Sequence, residues 1–395
     1  MQLDKIQSLD QQYFMPVFGN RTPVAFTHGK GMTLYATDGV AYQDFLGGIA
    51  VTALGHSHPV FTQALKNQLD QLLHTSSLYY IENQAALAQA LVQCSCADRI
   101  FFANSGAEAN EGAIKLARIH ASKQGFTHKY EIITLVDSFH GRTMTTVAAT
   151  GQEKYQKPYA PLTPGFIHVP INDLQALERA MSDNTCAVMI ECIQGESGVQ
   201  PVDQHYIHAV VALCKKHNAH FVVDEIQTGM GRTGKLFAYE HFGVEPDIFT
   251  LAKALGNGIP IGAVCAKEFV AQSFGLGDHG STFGGNAFAT CAGLAVLDIL
   301  KNEDLVKNAQ VMGEYFMQRL LSANLTKVAQ VRGKGLMIGI QLTEPSAVQV
   351  KNALFEKGFL VGSVGTNVIR CLPPLIITQA DIDAFVDAFT KIIEE

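Results

Sequence analysis

FVVDEIQTGMGRTGKLFAYEHFGVEPDIFTLAKALG, residues Phe221 to Gly256, is the stretch that decides the fold. Its first apolar run, Phe221-Val222-Val223, stops at two adjacent acids, Asp224 and Glu225; a second, Ile248 to Ala252, stops at Lys253. Both runs have the length and the β-branched or aromatic content of buried strands, although periodicity alone does not separate a short strand from buried helix. In an open α/β sheet, ligands bind outside the carboxyl ends of the strands. The stretch therefore offers a carboxylate and an amine to one crevice. A lysine so placed is partly desolvated, which lowers its pKa and frees a neutral amine for imine formation. An aspartate near it is suited to hold a pyridinium nitrogen, the pairing on which pyridoxal phosphate chemistry rests. A salt bridge between strand ends is the competing reading, and these residues alone leave both open.

The 395 residues, 47% hydrophobic and 16% charged, are enough for one large domain and a smaller one. A net charge of -7 without a basic run argues against nucleic acid or an anionic membrane surface as partner. No apolar stretch has the length of a membrane span, and MQLDKIQSLDQQYFM lacks the basic-then-apolar profile of a secretory leader, so a cytoplasmic location is expected. The eight cysteines show no C-x-x-C and no zinc-like spacing; in contexts such as CAVMIEC they read as small hydrophobes, and no disulfide framework is expected.

Along the chain, residues 1–20 read as a helix and a turn (Pro16, Gly19, Asn20), an arm suited to lie over a partner, and residues 22–48 as short strands joined by Gly-rich turns. From about 85 to 295 strands and helices alternate. Strands are expected at Arg99 to Ala103, Glu131 to Val136, Ala187 to Glu191, Phe221 to Val223, Ile248 to Leu251 and Ala263 to Ala266; helices at Glu82 to Cys94, Ala107 to Gln124, Leu174 to Met181 and His205 to His217. Such alternation implies an α/β fold with a mostly parallel sheet covered on both faces. A long helix from Ala287 leads into a C-terminal α+β part with strands near Val331 to Gln341 and Val368 to Cys371. The expected division is 1–50 and 296–395 as the two parts of a small domain, with 51–295 as the large one.

Further stretches carry candidate chemistry. In FFANSGAEANEGAIKLAR a strand runs into Asn104-Ser105-Gly106-Ala107 and a helix begins at once, aiming free N–H groups and a positive dipole end at the sheet edge, as a phosphate cradle does. Ser105-x-x-Glu108 is equally a capping box, which does not itself require Gly106. Phe139-His140-Gly141-Arg142 follows the strand IITLV, with an aromatic able to stack on a ring and an arginine able to grip a carboxylate; a core phenylalanine and a surface ion pair are the plainer alternative. His279 to Asn286 sets Ser281 and Thr282 among glycines, as an anion site or a turn. Arg370, between apolar residues in NVIRC, needs a substrate carboxylate or an internal glutamate. His56 and His58 have H-x-H spacing but no third ligand of matching type nearby, so a loop is preferred to a metal site. Gly229 to Gly234 fits G-x-G-x-x-G, yet DEIQT separates it from the strand and no helical period follows, so dinucleotide binding is not expected.

In chain order, NSGAEANEGAIKLAR, FHGRTMTTVAATG, IECIQGESGV, VVDEIQTGMGRTGKLFAYEHFGVEPDIFTLAKALGNGIPIGA and HGSTFGGN resemble successive motifs of the class III (ω) aminotransferases, pyridoxal phosphate enzymes of fold type I. Within that class GGIAVTALGHSHP, LHTSSLYY, HGRT and VRGKGLMIG are most similar to the branch acting on N2-acetylornithine. The resemblance implies that Lys253 is the lysine that binds pyridoxal 5′-phosphate and moves the proton, and that Asp224 pairs with the pyridinium nitrogen. It implies Gln227 at the ring's 3′ oxygen, Ser105, Gly106 and Ala107 around the phosphate, and Phe139 on the ring with His140 nearby. Ser281 and Thr282 match a motif by which a neighbouring subunit completes such a site, Thr282 at phosphate and Ser281 at substrate, so a homodimer is implied.

The implied reaction moves the δ-amino group of N2-acetylornithine to 2-oxoglutarate, giving N-acetylglutamate 5-semialdehyde and glutamate, a step of arginine biosynthesis. Arg142 would hold the donor's α-carboxylate, and Arg370 that of 2-oxoglutarate, with Glu196 neutralising Arg370 while an ω-amine enters. Ornithine, succinylornithine, succinyl-diaminopimelate and 4-aminobutyrate remain alternative donors, and a non-transaminating pyridoxal phosphate enzyme, a racemase or decarboxylase, would share Lys253 and Asp224 without requiring Arg370. Cys192 stands where the family commonly has proline, and Tyr35 where it often has tryptophan. Ile49 lies where ornithine-specific relatives tend to have tyrosine, which favours an acylated substrate.

Overall fold

The computed structural model describes residues 1–19 and 21–394, so the expected turn at Asn20 lies outside the described residues. The central sheet has seven strands in the order Arg99–Ala103, Gly262–Ala266, Ile248–Leu251, His220–Asp224, Thr185–Ile190, Glu131–Leu135 and Phe166–Val169. Four of these strands, Thr185–Ile190, His220–Asp224, Ile248–Leu251 and Gly262–Ala266, are buried along their whole length, because helices cover both faces. That is why they read as unbroken apolar runs rather than as alternating ones.

Gly262–Ala266 runs antiparallel to both neighbours while the other pairings are parallel. A parallel return needs a crossover of about a dozen residues or more, and the connection 252–261 holds only a 3₁₀ turn, Lys253–Leu255. The reversal keeps Lys253 at the sheet's edge instead of carrying the chain away from it. The helix Gly106–Lys123 crosses the sheet with Ala109, Ala113, Ile114, Leu116 and Ala117 buried against it.

Two smaller sheets flank this core. Phe26–Lys30, Thr33–Ala36 and Ala41–Asp44 form a meander completed by Phe359–Leu360, which pairs parallel with Ala41–Asp44, so the two ends of the chain share one sheet. The other joins Val328–Lys334, Met337–Leu342, Val368–Cys371 and Gly362–Val364. The sequence expectation of a single strand near Val331 to Gln341 is corrected to a hairpin, turned at Gly335 with φ 52°. Phe166–Val169 and the helix Leu305–Ser322 were not anticipated as elements. The segment Gly229–Gly234 forms consecutive turns that bury Arg232, whose Nη1 donates to the carbonyls of Leu336 and Pro373. His56 pairs with Asp44 at 2.8 Å and His58 with Glu303 at 3.1 Å.

Phe45 joins the two chain ends. It is fully buried, stacks on Phe385 at 4.5 Å between centroids, and meets Phe359 and Phe316 edge-on at 5.8 and 6.0 Å. Phe45→Ala is expected to cost about 3–5 kcal/mol, read as a lower denaturant midpoint by circular dichroism; an unchanged midpoint would remove this cluster as the fastening of the two ends.

Candidate active site

The carboxyl ends of five central strands converge on a cavity of about 390 Å³ whose wall includes Ser105, Gly106, Ala107, Phe139, His140, Arg142, Glu191, Asp224, Gln227 and Lys253. Asp224 ends its strand, and Lys253 begins the 3₁₀ turn that follows the next one. Lys253 has φ 46°, the left-handed region that a non-glycine residue adopts only at a cost. Burial lowers the Lys253 pKa and Arg370 adds to this, against the opposing pull of Glu196 and Asp224.

Asp224 is buried and fully engaged. Its Oδ2 accepts from Asn110 Nδ2 at 2.8 Å and lies 2.8 Å from His140 Nδ1, while Oδ1 accepts the Ile226 N–H at 3.0 Å. Asn110 also donates to the His140 carbonyl at 2.7 Å and accepts from Thr250 Oγ1 at 2.8 Å. Burial by itself would depress the His140 pKa, but the hydrogen bond to Asp224 and the charge of that group outweigh it and raise the imidazole above its ordinary value. The adjacent Glu225 points elsewhere, accepting from Thr228 Oγ1 at 2.5 Å and from the Tyr239 N–H at 2.9 Å; burial pushes it up to about 7.

Ser105 caps the helix Gly106–Lys123, its Oγ accepting the Glu108 N–H at 3.2 Å, while Glu108 reaches back to the Asn104 N–H at 2.7 Å. The expected capping box is thus only half formed, because Glu108 bonds the N–H of Asn104 and not that of the cap residue Ser105; the half-buried first turn stays open to the cavity. A Cβ on Gly106 would lie 2.9 Å from Ile226 Cδ1, so glycine lets the helix start press against the residue two beyond Asp224. The Gln227 amide donates to Glu196 Oε1 at 3.4 Å, and its own Oε1 is buried without a partner. Glu196 lies 2.6 Å from Arg370 Nη1, which also donates to the Gly195 carbonyl at 2.9 Å. Burial would raise the Glu196 pKa, but Arg370 wins and lowers it. Arg142 is exposed, with its guanidinium 3.9 Å from the Tyr155 ring centroid.

A planar pyridine bearing a phosphate and an aldehyde fits these residues. Free helix N–H groups suit a phosphate, the Asp224 carboxylate a pyridinium and the Phe139 face a ring, and an unpartnered amide oxygen inside the wall marks polar capacity that the protein itself does not fill. Other predicted residues lie apart. Ile49, 40% exposed at φ 67°, is outside the cavity wall, where Val51 stands instead. Ser281 Oγ accepts from Asn104 Nδ2 at 3.2 Å, behind the wall, and Thr282 is exposed. Sequence reasoning assigned no role to Asn110, Glu191, Tyr155 or Thr250. For Glu191 the signal was available: like Asp224, it is an acid closing an apolar run.

The class-III aminotransferase family pattern matches residues 14–393. The chain belongs to the class-III aminotransferases. The acetylornithine aminotransferase of Methanocaldococcus jannaschii is 49% identical over 391 residues, covering 98% of this aminotransferase and 97% of its relative. That of Gloeobacter violaceus is 49% identical, with 96% and 95% covered. Among solved structures, the acetylornithine aminotransferase of Elizabethkingia anophelis superposes with a TM-score of 0.89 at 33% identity, covering 100% and 99% of the two chains. The ornithine aminotransferase of Toxoplasma gondii, described with partial occupancy of PLP at its active site, superposes at 0.95 with 32% identity, covering 100% and 94%.

The depressed Lys253 pKa predicts reductive methylation of this lysine, quantified by peptide mass, at a lower pH than for surface lysines. Glu196 holds that pKa up, so Glu196→Gln should shift the onset lower still; an onset moving to higher pH would contradict the assigned electrostatics.

Proposed function

We propose that the protein transfers the δ-amino group of N2-acetylornithine to 2-oxoglutarate, with pyridoxal 5′-phosphate as cofactor, giving N-acetylglutamate 5-semialdehyde and glutamate. The observation that carries this reading is the unequal state of two arginines serving one lysine. Arg142 is exposed and forms no salt bridge among the described residues, whereas Arg370 is buried and held by Glu196 at 2.6 Å. A donor whose reacting amine is far from its α-carboxylate uses Arg142 for the carboxylate and requires no free positive charge beside the lysine. 2-Oxoglutarate carries a carboxylate next to its reacting carbon and needs Arg370 released. Glu196, on a short turn, supplies both states by pairing with Arg370 or leaving it.

When bound, pyridoxal phosphate supplies a carbonyl for amine attachment and an electron sink for the pair left when the substrate carbon loses its proton. Ser105, Gly106 and Ala107 would hold its phosphate, Asp224 its ring nitrogen, Gln227 its ring oxygen, and Phe139 with His140 its ring position. Lys253, whose charged form is disfavoured by burial, takes the proton from the carbon bearing the donor's amine and delivers one to the oxo acid's carbon in the return half. Such positioned proton transfer contributes about 10²–10⁴-fold.

The acyl preference is supported by the 49% identical relatives; Ile49, outside the cavity wall, adds no support to it. Thr282 serves the phosphate of a neighbouring subunit and Ser281 its substrate, so the working unit is a homodimer. The exposed apolar residues Leu78, Tyr80 and Phe283 suit such an interface. The reaction is a cytoplasmic step of arginine biosynthesis.

Purified holoprotein given N2-acetylornithine and 2-oxoglutarate should form glutamate, and Lys253→Ala should abolish it together with covalent retention of the cofactor; persistence of both in the variant would refute the assignment. Glu196→Gln should slow reaction of the ω-amine more than reaction of glutamate, and equal slowing of the two would refute the exchange at Arg370.

A further inference from the structure

Glu191 follows the strand Thr185–Ile190 at the sheet edge, is buried in the cavity wall, and has no part in the transfer set out above. Its Oε2 accepts the Phe139 N–H at 3.0 Å and its Oε1 accepts the Gly195 N–H at 3.4 Å. These two donors belong to different loops. Phe139 opens the turn that presents Arg142. Gly195 precedes Glu196, and its own carbonyl accepts from Arg370 at 2.9 Å. One carboxylate thus bonds the backbone beside each of the two carboxylate grips.

We propose that Glu191 is a positioning residue that fixes the Arg142 loop and the Glu196–Arg370 pair relative to Lys253, and so sets the balance between the two half-reactions. The inference rests on the transfer reaction proposed above and adds a determinant of its specificity. Filling this space for stability alone calls for an apolar side chain, because a buried acid is costly unless both oxygens are bonded. Here each oxygen meets a main-chain donor, and each donor sits within three residues of a substrate-binding side chain. The far end of the second loop is anchored separately: Arg332 Nε donates to the carbonyls of Gly198 and Val199 at 2.9 and 3.1 Å. Its near end is the part that Glu191 controls. A Cβ at Gly195 would lie 2.1 Å from Gln227 Oε1, so this backbone also fixes how closely Gln227 approaches.

Glu191→Gln separates the two contacts, because an amide has one acceptor oxygen. The shorter bond to Phe139 is kept, and the amide NH₂ then opposes the Gly195 N–H. In the holoenzyme the KM for 2-oxoglutarate should rise roughly five- to tenfold, the worth of about one hydrogen bond, while the KM for N2-acetylornithine stays within about twofold and the cofactor absorbance is unchanged. Glu191→Asp, one methylene shorter, cannot span both donors and should raise both KM values. Unchanged KM values in both variants, or a fall in kcat alone, would overturn the proposal. Wild-type enzyme checks the underlying reaction separately: no glutamate formation there refutes the transferase, whereas normal wild-type turnover with an unaltered KM ratio in Glu191→Gln refutes only the role of Glu191.

Discussion

A carboxylate survives at the buried end of a strand only where donors meet its charge, and at Asp224 those donors come from three other parts of the chain. Asn110 lies in the helix Gly106–Lys123, His140 in the loop after Glu131–Leu135, and the Ile226 N–H just downstream. Each donor brings further geometry with it. Asn110 also accepts from Thr250 on the adjacent strand, which sets the register of the helix on the sheet and aims its N-terminal turn at the cavity. His140 carries Phe139 on one side and Arg142 on the other. The wall of the cavity is thus assembled around the need to satisfy one buried acid.

The amine opposite depends on different physics. Lys253 sits in a left-handed turn forced by the short link between two antiparallel strands, and burial withdraws its ammonium from water. Arg370 nearby also favours the neutral amine, whereas Glu196 both offsets Arg370 and opposes that effect. Movement of the Glu196 carboxylate would therefore change the charge left free on Arg370 and the basicity of Lys253 together. Under the proposed reaction, a fixed ion pair would not serve both the ω-amine donor and the oxo-acid acceptor. A carboxylate on a loop anchored at Gly195 and at Gly198 can exchange partners while the backbone stays in place.

Much of this was legible in the sequence. Apolar runs ending at Asp224 and Lys253, and Ser105-x-x-Glu108 directly after a strand, encode local events that spacing reports. The mostly parallel sheet also followed from the alternation of elements. What spacing does not encode is contact between distant segments. Asn110 is one polar residue inside an amphipathic helix, and only the assembled sheet shows that it faces Asp224. Tyr155 lies in the single-turn helix Glu153–Gln156, too short to show a period, and its stacking under Arg142 is a tertiary fact. The antiparallel turn of Gly262–Ala266 follows from connection length, which gave a readable signal that periodicity alone passed over. Phe166–Val169 is a short, half-buried edge strand with a histidine in it, and its pattern is correspondingly weak.

The central claim is that the Asp224 carboxylate, held by His140 and Asn110, keeps the cofactor's ring nitrogen protonated opposite Lys253. Nitrogen-15 NMR of protein loaded with pyridoxal phosphate labelled at the ring nitrogen tests this directly. The account predicts a pyridinium shift that does not titrate across the pH range in which the protein stays folded, and its loss in Asp224→Asn. A neutral, freely titrating pyridine nitrogen in the wild-type protein would contradict it and return Asp224 and Lys253 to a structural ion pair.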